Sequence, residues 1–73
     1  MAPLSTNIER ILSYGGGVSI DATHYMSSNL ERFASFAAAS GATLIIRNSD
    51  KLMSSSMERI AAFGKGKVIF EFN

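Results

Sequence analysis

The side chains best suited to chemistry gather in two short stretches. His24, the only histidine, sits in Ala22-Thr23-His24-Tyr25-Met26-Ser27-Ser28, while Asp50 and Lys51 sit in Asn48-Ser49-Asp50-Lys51-Leu52-Met53-Ser54-Ser55. Together His24, Tyr25, Asn48, Asp50 and Lys51 make a polar edge suited to a phosphate or a carboxylate. That use requires both stretches to lie at helix N-termini, where backbone N–H groups and the helix dipole favour an anion. A Ser27–His24–Asp50 triad can be drawn from the same stretches. Serine is abundant in this chain, however, and nothing resembles a nucleophile elbow or an orienting shell. The chain is therefore read as a non-enzyme. Its lack of cysteine excludes disulfides and thiolate metal sites, and one histidine cannot build a usual zinc site. No metal or cofactor is expected.

Gly64-Lys65-Gly66-Lys67 has the composition of a phosphate loop in the wrong order. A phosphate loop runs from strand to helix, so that backbone N–H groups converge on the anion. Here the glycines follow a helical pattern and precede a β-rich run. They read as a helix stop, with lysines near the negative end of the helix dipole.

What must position these residues is a threefold repeat. Leu4-Ser-Thr-Asn-Ile-Glu-Arg-Ile, Met26-Ser-Ser-Asn-Leu-Glu-Arg-Phe and Met53-Ser-Ser-Ser-Met-Glu-Arg-Ile align at eight positions, with offsets of 22 residues (Leu4 to Met26) and 27 (Met26 to Met53). Thr6-x-x-Glu9, Ser28-x-x-Glu31 and Ser55-x-x-Glu58 have the spacing of capping boxes, in which hydroxyl and carboxylate satisfy backbone N–H groups reciprocally. Leu4, Met26 and Met53 then sit near the position that staples the entry turn. Three helices are expected, each with an apolar stripe: Ile8/Ile11/Leu12, Leu30/Phe33/Ala34/Ala37 and Met57/Ile60/Ala61. Tyr14, Phe36 and Phe63 recur late in each helix and read as packing between repeats, rather than as a stacking platform for single-stranded nucleic acid. Glycines end each helix through left-handed caps, and the second helix is expected to run a turn longer.

After each glycine break comes a strand. Val18/Ile20, Leu44/Ile46 and Val68/Phe70/Phe72 should face the helices; Ser19/Asp21, Ile45/Arg47 and Ile69/Glu71 should face away. Helices linking successive strands imply a parallel sheet with right-handed crossovers. The expected fold is α/β: three helix-strand repeats, about 4–22, 26–48 and 53–73, in one domain. Its three-stranded parallel sheet has the order 1-2-3, with the helices on one face. Asp21, Arg47 and Glu71 should then form an alternating row of charge across the open face.

Units of helix plus strand with Asn48 closing Leu44-Ile-Ile-Arg-Asn48 resemble the leucine-rich-repeat class, whose units run roughly 20–29 residues. The likeness lies in arrangement. Asn48 is displaced by one from the class pattern, and Ala22 and Phe72 take its place in the other units. The resemblance implies a protein-binding surface.

Composition narrows the partners. Apolar residues make up 47% of the chain and charged residues 18%, which argues for a folded domain over disorder. A net charge of +1 and scattered lysines and arginines argue against nucleic acid. No apolar run of membrane-spanning length occurs, and the N-terminus lacks the features of a secretory signal; a cytoplasmic location is expected. Chains this short bury only about 60% of their unfolded surface and often need reinforcement. Without disulfides or metal, packing quality and self-association remain. Ser19, Asp21, Ile45, Arg47, Ile69 and Glu71 on the outer sheet face form the expected protein-contact surface. The final run, Val68 to Asn73, is expected to be an edge strand open to pairing with another chain. A protein partner, most simply a second copy in a homo-oligomer, follows as the leading reading. Ligand binding at the His24 and Asp50-Lys51 edge is the alternative.

Overall fold

Each helix starts two residues earlier than the capping boxes require. In the computed structural model, which describes residues 4–72, α1 spans Ser5–Ser13, α2 Ser27–Ser40 and α3 Ser54–Gly64. Met1 to Pro3, part of the segment from which the lack of a secretory signal was read, and Asn73, the end of the third repeat, lie outside the described residues. The cap residues are Leu4, Met26 and Met53, all extended, and none carries a side-chain cap. The backbone alone closes the first turn: the Leu4 carbonyl accepts from the Asn7 and Ile8 N–H groups at 3.0 and 3.2 Å. The capping boxes and the staple are thus not formed. Thr6, Ser28 and Ser55 fall inside the helices, and Leu4, Met26 and Met53 are exposed. Glu9 and Glu31 lie more than a turn from the cap and reach sideways instead, as described below.

The helix ends differ from one another. Gly41 caps α2 in the left-handed region at φ 81°, as glycine readily does. In α3 the left-handed cap is Lys65, at φ 49°, and Gly64 is the buried last helical residue. Its lack of a side chain is required by packing: a Cβ there would collide with the Val68 side chain and lie 3.5 Å from the Ala34 methyl group. The second helix is the longest, with 14 residues against 9 and 11.

Strands β1 (Val18–Asp21), β2 (Leu44–Arg47) and β3 (Val68–Phe70) form one parallel sheet in the order β1-β2-β3. The register aligns Val18, Leu44 and Val68, then Ser19, Ile45 and Ile69, then Ile20, Ile46 and Phe70. Strand β3 stops at Phe70, so Glu71 and Phe72 fall outside it. The Glu71 N–H still donates to the Ile46 carbonyl at 2.9 Å. A single apolar cluster fills the space between helices and sheet, centred on Leu12, Leu30, Phe33, Leu44, Ile46 and Ile60. Burying side chains of this size contributes about 1.5–3 kcal/mol each.

The apolar stripes are complete only in α2. Phe33 is 0% exposed, and so is Ile60 at the matching position of α3, but Ile11 at that position of α1 is 44% exposed. Ala61, matching the buried Leu12 and Ala34, is exposed. Tyr14 is 82% exposed, whereas Phe36 packs on the core with the Arg32 guanidinium 6.0 Å from its ring centre. Of the three aromatic positions only Phe36 packs on the core; Tyr14 and Phe63 are exposed. Among the described residues no helix is long and apolar enough to cross a membrane.

Candidate interaction surfaces

With all three helices on one side, the described residues leave the other face of the sheet uncovered. Ser19, Ile45 and Ile69 align across it. Ile69 is 49% exposed and Ile45, between two neighbours, is half-buried. Asp21 and Arg47 are register partners, and Glu71 continues the row just beyond β3. The alternation of charge is present, but no salt bridge joins Asp21 to Arg47 among the described residues. The Asp21 carboxylate turns to its own loop instead. It accepts from the Thr23 hydroxyl at 2.6 Å, the Thr23 N–H at 2.8 Å and the Asn48 side-chain amide at 2.9 Å. Short local partners hold it better than a flexible guanidinium in water, where exposed pairs contribute little.

Those bonds tie the two polar stretches together. Ala22–His24 and Ser49–Lys51 each form one turn of 3-10 helix, and the turns pack side by side. The Thr23 hydroxyl, then the Thr23 N–H, lowers the Asp21 pKa to about 2, with the Asn48 amide helping against partial desolvation. Asn48 holds a left-handed backbone at φ 58°, a conformation asparagine tolerates better than most residues. Ser49 is fully buried: its hydroxyl donates to the Ile46 carbonyl at 2.7 Å, and its N–H donates to the Glu71 carbonyl at 2.8 Å. Tyr25 meets the Phe33 ring edge-on at 5.2 Å, and burial pushes its hydroxyl pKa up. Asp50 and Lys51 approach only to 3.8 Å in an exposed pair.

The expected sites are thereby redistributed. A cavity of about 240 Å³ is lined by Ile8, Val18, Ser19, Ile20, Asp21, His24, Tyr25 and Arg47. It combines His24 and Tyr25 from the expected ligand edge with Ser19, Asp21 and Arg47 from the expected protein-contact face. Asn48, Asp50 and Lys51 do not line it, nor do Ile45, Ile69 and Glu71. Both faces of β1 contribute, so the cavity lies along the free edge of that strand. Among the described residues, no group of histidines and carboxylates is placed to hold a metal ion.

A second feature was legible in the sequence only as a repeated Glu-Arg pair. Glu9 of α1 binds Arg32 of α2 through two hydrogen bonds, at 3.0 and 3.3 Å. Glu31 of α2 meets Arg59 of α3 at 3.5 Å. Each glutamate thus faces the next helix, and each arginine of α2 and α3 faces the preceding one. Position alone did not disclose this, because adjacent residues point only about 100° apart on a helix, and which neighbour each reaches depends on where the next helix stands. Compared with known proteins, the chain matches no family model, no curated protein and no solved structure.

Proposed function

We propose that this chain is a non-enzymatic protein-interaction module of three helix-strand repeats, leucine-rich-repeat-like in arrangement. It associates with further copies of itself through the outer sheet face or the free edge of β3. One observation carries this reading: Ile69 stands half-exposed on a face that the described residues leave uncovered and on an edge strand, beside Ile45 and with Arg47 and Glu71 in the adjoining row. An apolar centre rimmed by charge is the usual anatomy of a contact patch, and an open parallel edge offers unpaired backbone groups to a partner. Sedimentation velocity from micromolar to millimolar concentration tests it. The wild-type coefficient should rise with concentration, while Ile69→Asp stays at the monomer value with unchanged far-ultraviolet circular dichroism. A wild-type protein that sediments as a monomer throughout removes self-association.

The cavity beside β1 supports a second reading, a site for a small anion held by His24 and Arg47. Its volume falls below the roughly 300–1,000 Å³ of typical ligand sites, and the Asp21 carboxylate in its wall opposes an anion. The interaction reading therefore stands first.

A further inference from the structure

The two ends of the helical layer are complementary to each other. Inside the molecule, Glu9 pairs with Arg32 and Glu31 with Arg59. The series leaves two members over: Arg10 at the α1 end and Glu58 at the α3 end. Both are exposed, and neither has an ion-pair partner among the described residues. The apolar positions follow the same rule. Phe33 and Ile60, on the side facing the preceding helix, are fully buried, whereas Ile11 at the α1 end is 44% exposed. Leu12 and Ala34, on the side facing the next helix, are fully buried, whereas Ala61 at the α3 end is exposed.

The sheet repeats the pattern. The Val18 N–H donates to the Thr43 carbonyl at 3.1 Å and the Leu44 N–H to the Lys67 carbonyl at 2.8 Å. In a parallel ladder this directs the backbone groups of Val68 and Phe70 to the open edge of β3, and those of Gly17 and Ser19 to the open edge of β1. The cavity along β1, with Ile8, Val18 and Ile20 in its wall, lies where a preceding unit would pack.

We propose that copies of this chain stack end to end. The α3/β3 end of one copy seats on the α1/β1 end of the next and continues the internal helix and strand spacing across the junction. Glu58 pairs with Arg10 of the second copy, Ala61 covers its Ile11, and the Val68 and Phe70 N–H groups donate to its Gly17 and Ser19 carbonyls. The inference rests on the self-association reading above and specifies its geometry. Because the two contacting surfaces differ, assembly does not stop at a dimer. It runs on as an open series or closes into a ring.

Charge exchange tests this without disturbing the fold, since neither residue has an internal ion-pair partner among the described residues. Arg10→Glu places two glutamates at every junction, and Glu58→Arg places two arginines there. Each variant alone should associate at least about tenfold more weakly than wild type, as like charges at an interface do. An equimolar mixture of the two restores an opposite pair at every junction, as does the double variant R10E/E58R in one chain. Both should recover wild-type sedimentation. Ile45→Asp, in the middle of the outer face and away from either end, should associate as wild type. Stacking is overturned if the single variants associate normally, or if neither the mixture nor the double variant recovers. If Ile45→Asp abolishes association while the charge variants do not, the copies meet face to face: stacking fails and the interaction reading stands. A wild-type monomer at all concentrations overturns both.

Discussion

Ile11 and Phe33 occupy matching positions of the aligned segments, yet the structure buries them very differently. Phe33→Ala removes a fully buried ring that meets Tyr25 edge-on, and such substitutions cost about 3–5 kcal/mol in lost transfer energy and cavity. A chain of this length has a total stability of about 4–11 kcal/mol, so the variant should be barely folded or unfolded in water. Ile11→Ala removes a side chain already 44% exposed. Roughly half of the usual 2–5 kcal/mol is at stake, and alanine returns a few tenths of a kcal/mol in helix propensity. The net cost is about 1 kcal/mol. Urea unfolding followed by circular dichroism separates the two cases: with a slope near 1 kcal/mol per molar, the midpoint should fall by about 1 M for Ile11→Ala. For Phe33→Ala it should fall by about 3 M or more, or the transition should be absent. The measurement belongs at a protein concentration where the midpoint no longer depends on concentration, because association adds its own stabilisation. If Ile11→Ala costs as much as Phe33→Ala in that limit, α1 has no open face and the reasoning about the ends collapses.

Two further outcomes follow from the loop edge. The Asp21 pKa, lowered to about 2 from an unperturbed 3.8, means that the carboxylate stabilises the fold above the unfolded value and loses that effect as pH falls through about 2. The stability difference between wild type and Asp21→Asn should therefore be constant near neutrality and shrink between about pH 4 and pH 2; a difference independent of pH would show that the Thr23 and Asn48 bonds do not favour the charged form. The anion reading of the cavity predicts that phosphate raises the melting temperature more than chloride at equal ionic strength, and that His24→Ala removes the excess. Equal effects of the two salts would eliminate it.

What the sequence by itself determined is the architecture. Three aligned segments, apolar spacing of helical period and β-rich runs behind glycines lead to three helices and a parallel sheet in the order 1-2-3, because local periodicity and crossover handedness leave few alternatives. The capping boxes failed for a physical reason. Ser-x-x-Glu spacing is compatible with a cap and with a helix already under way, and only neighbouring Arg32 and Arg59 show where the carboxylates of Glu9 and Glu31 go. The register sets Asp21 beside Arg47 as the strand pattern implied, but which partners the carboxylate takes was decided by the shorter bonds from Thr23 and Asn48. Candidate site residues were legible by type, not by grouping: His24 and Tyr25 share a cavity with Asp21 and Arg47, while Asp50 and Lys51 stand apart. The difference between Ile11 and Phe33 belongs wholly to tertiary structure. Aligned segments carry the same residue class at matching positions, but burial depends on whether a neighbour stands on that side, and α2 alone among the three described helices has one on both.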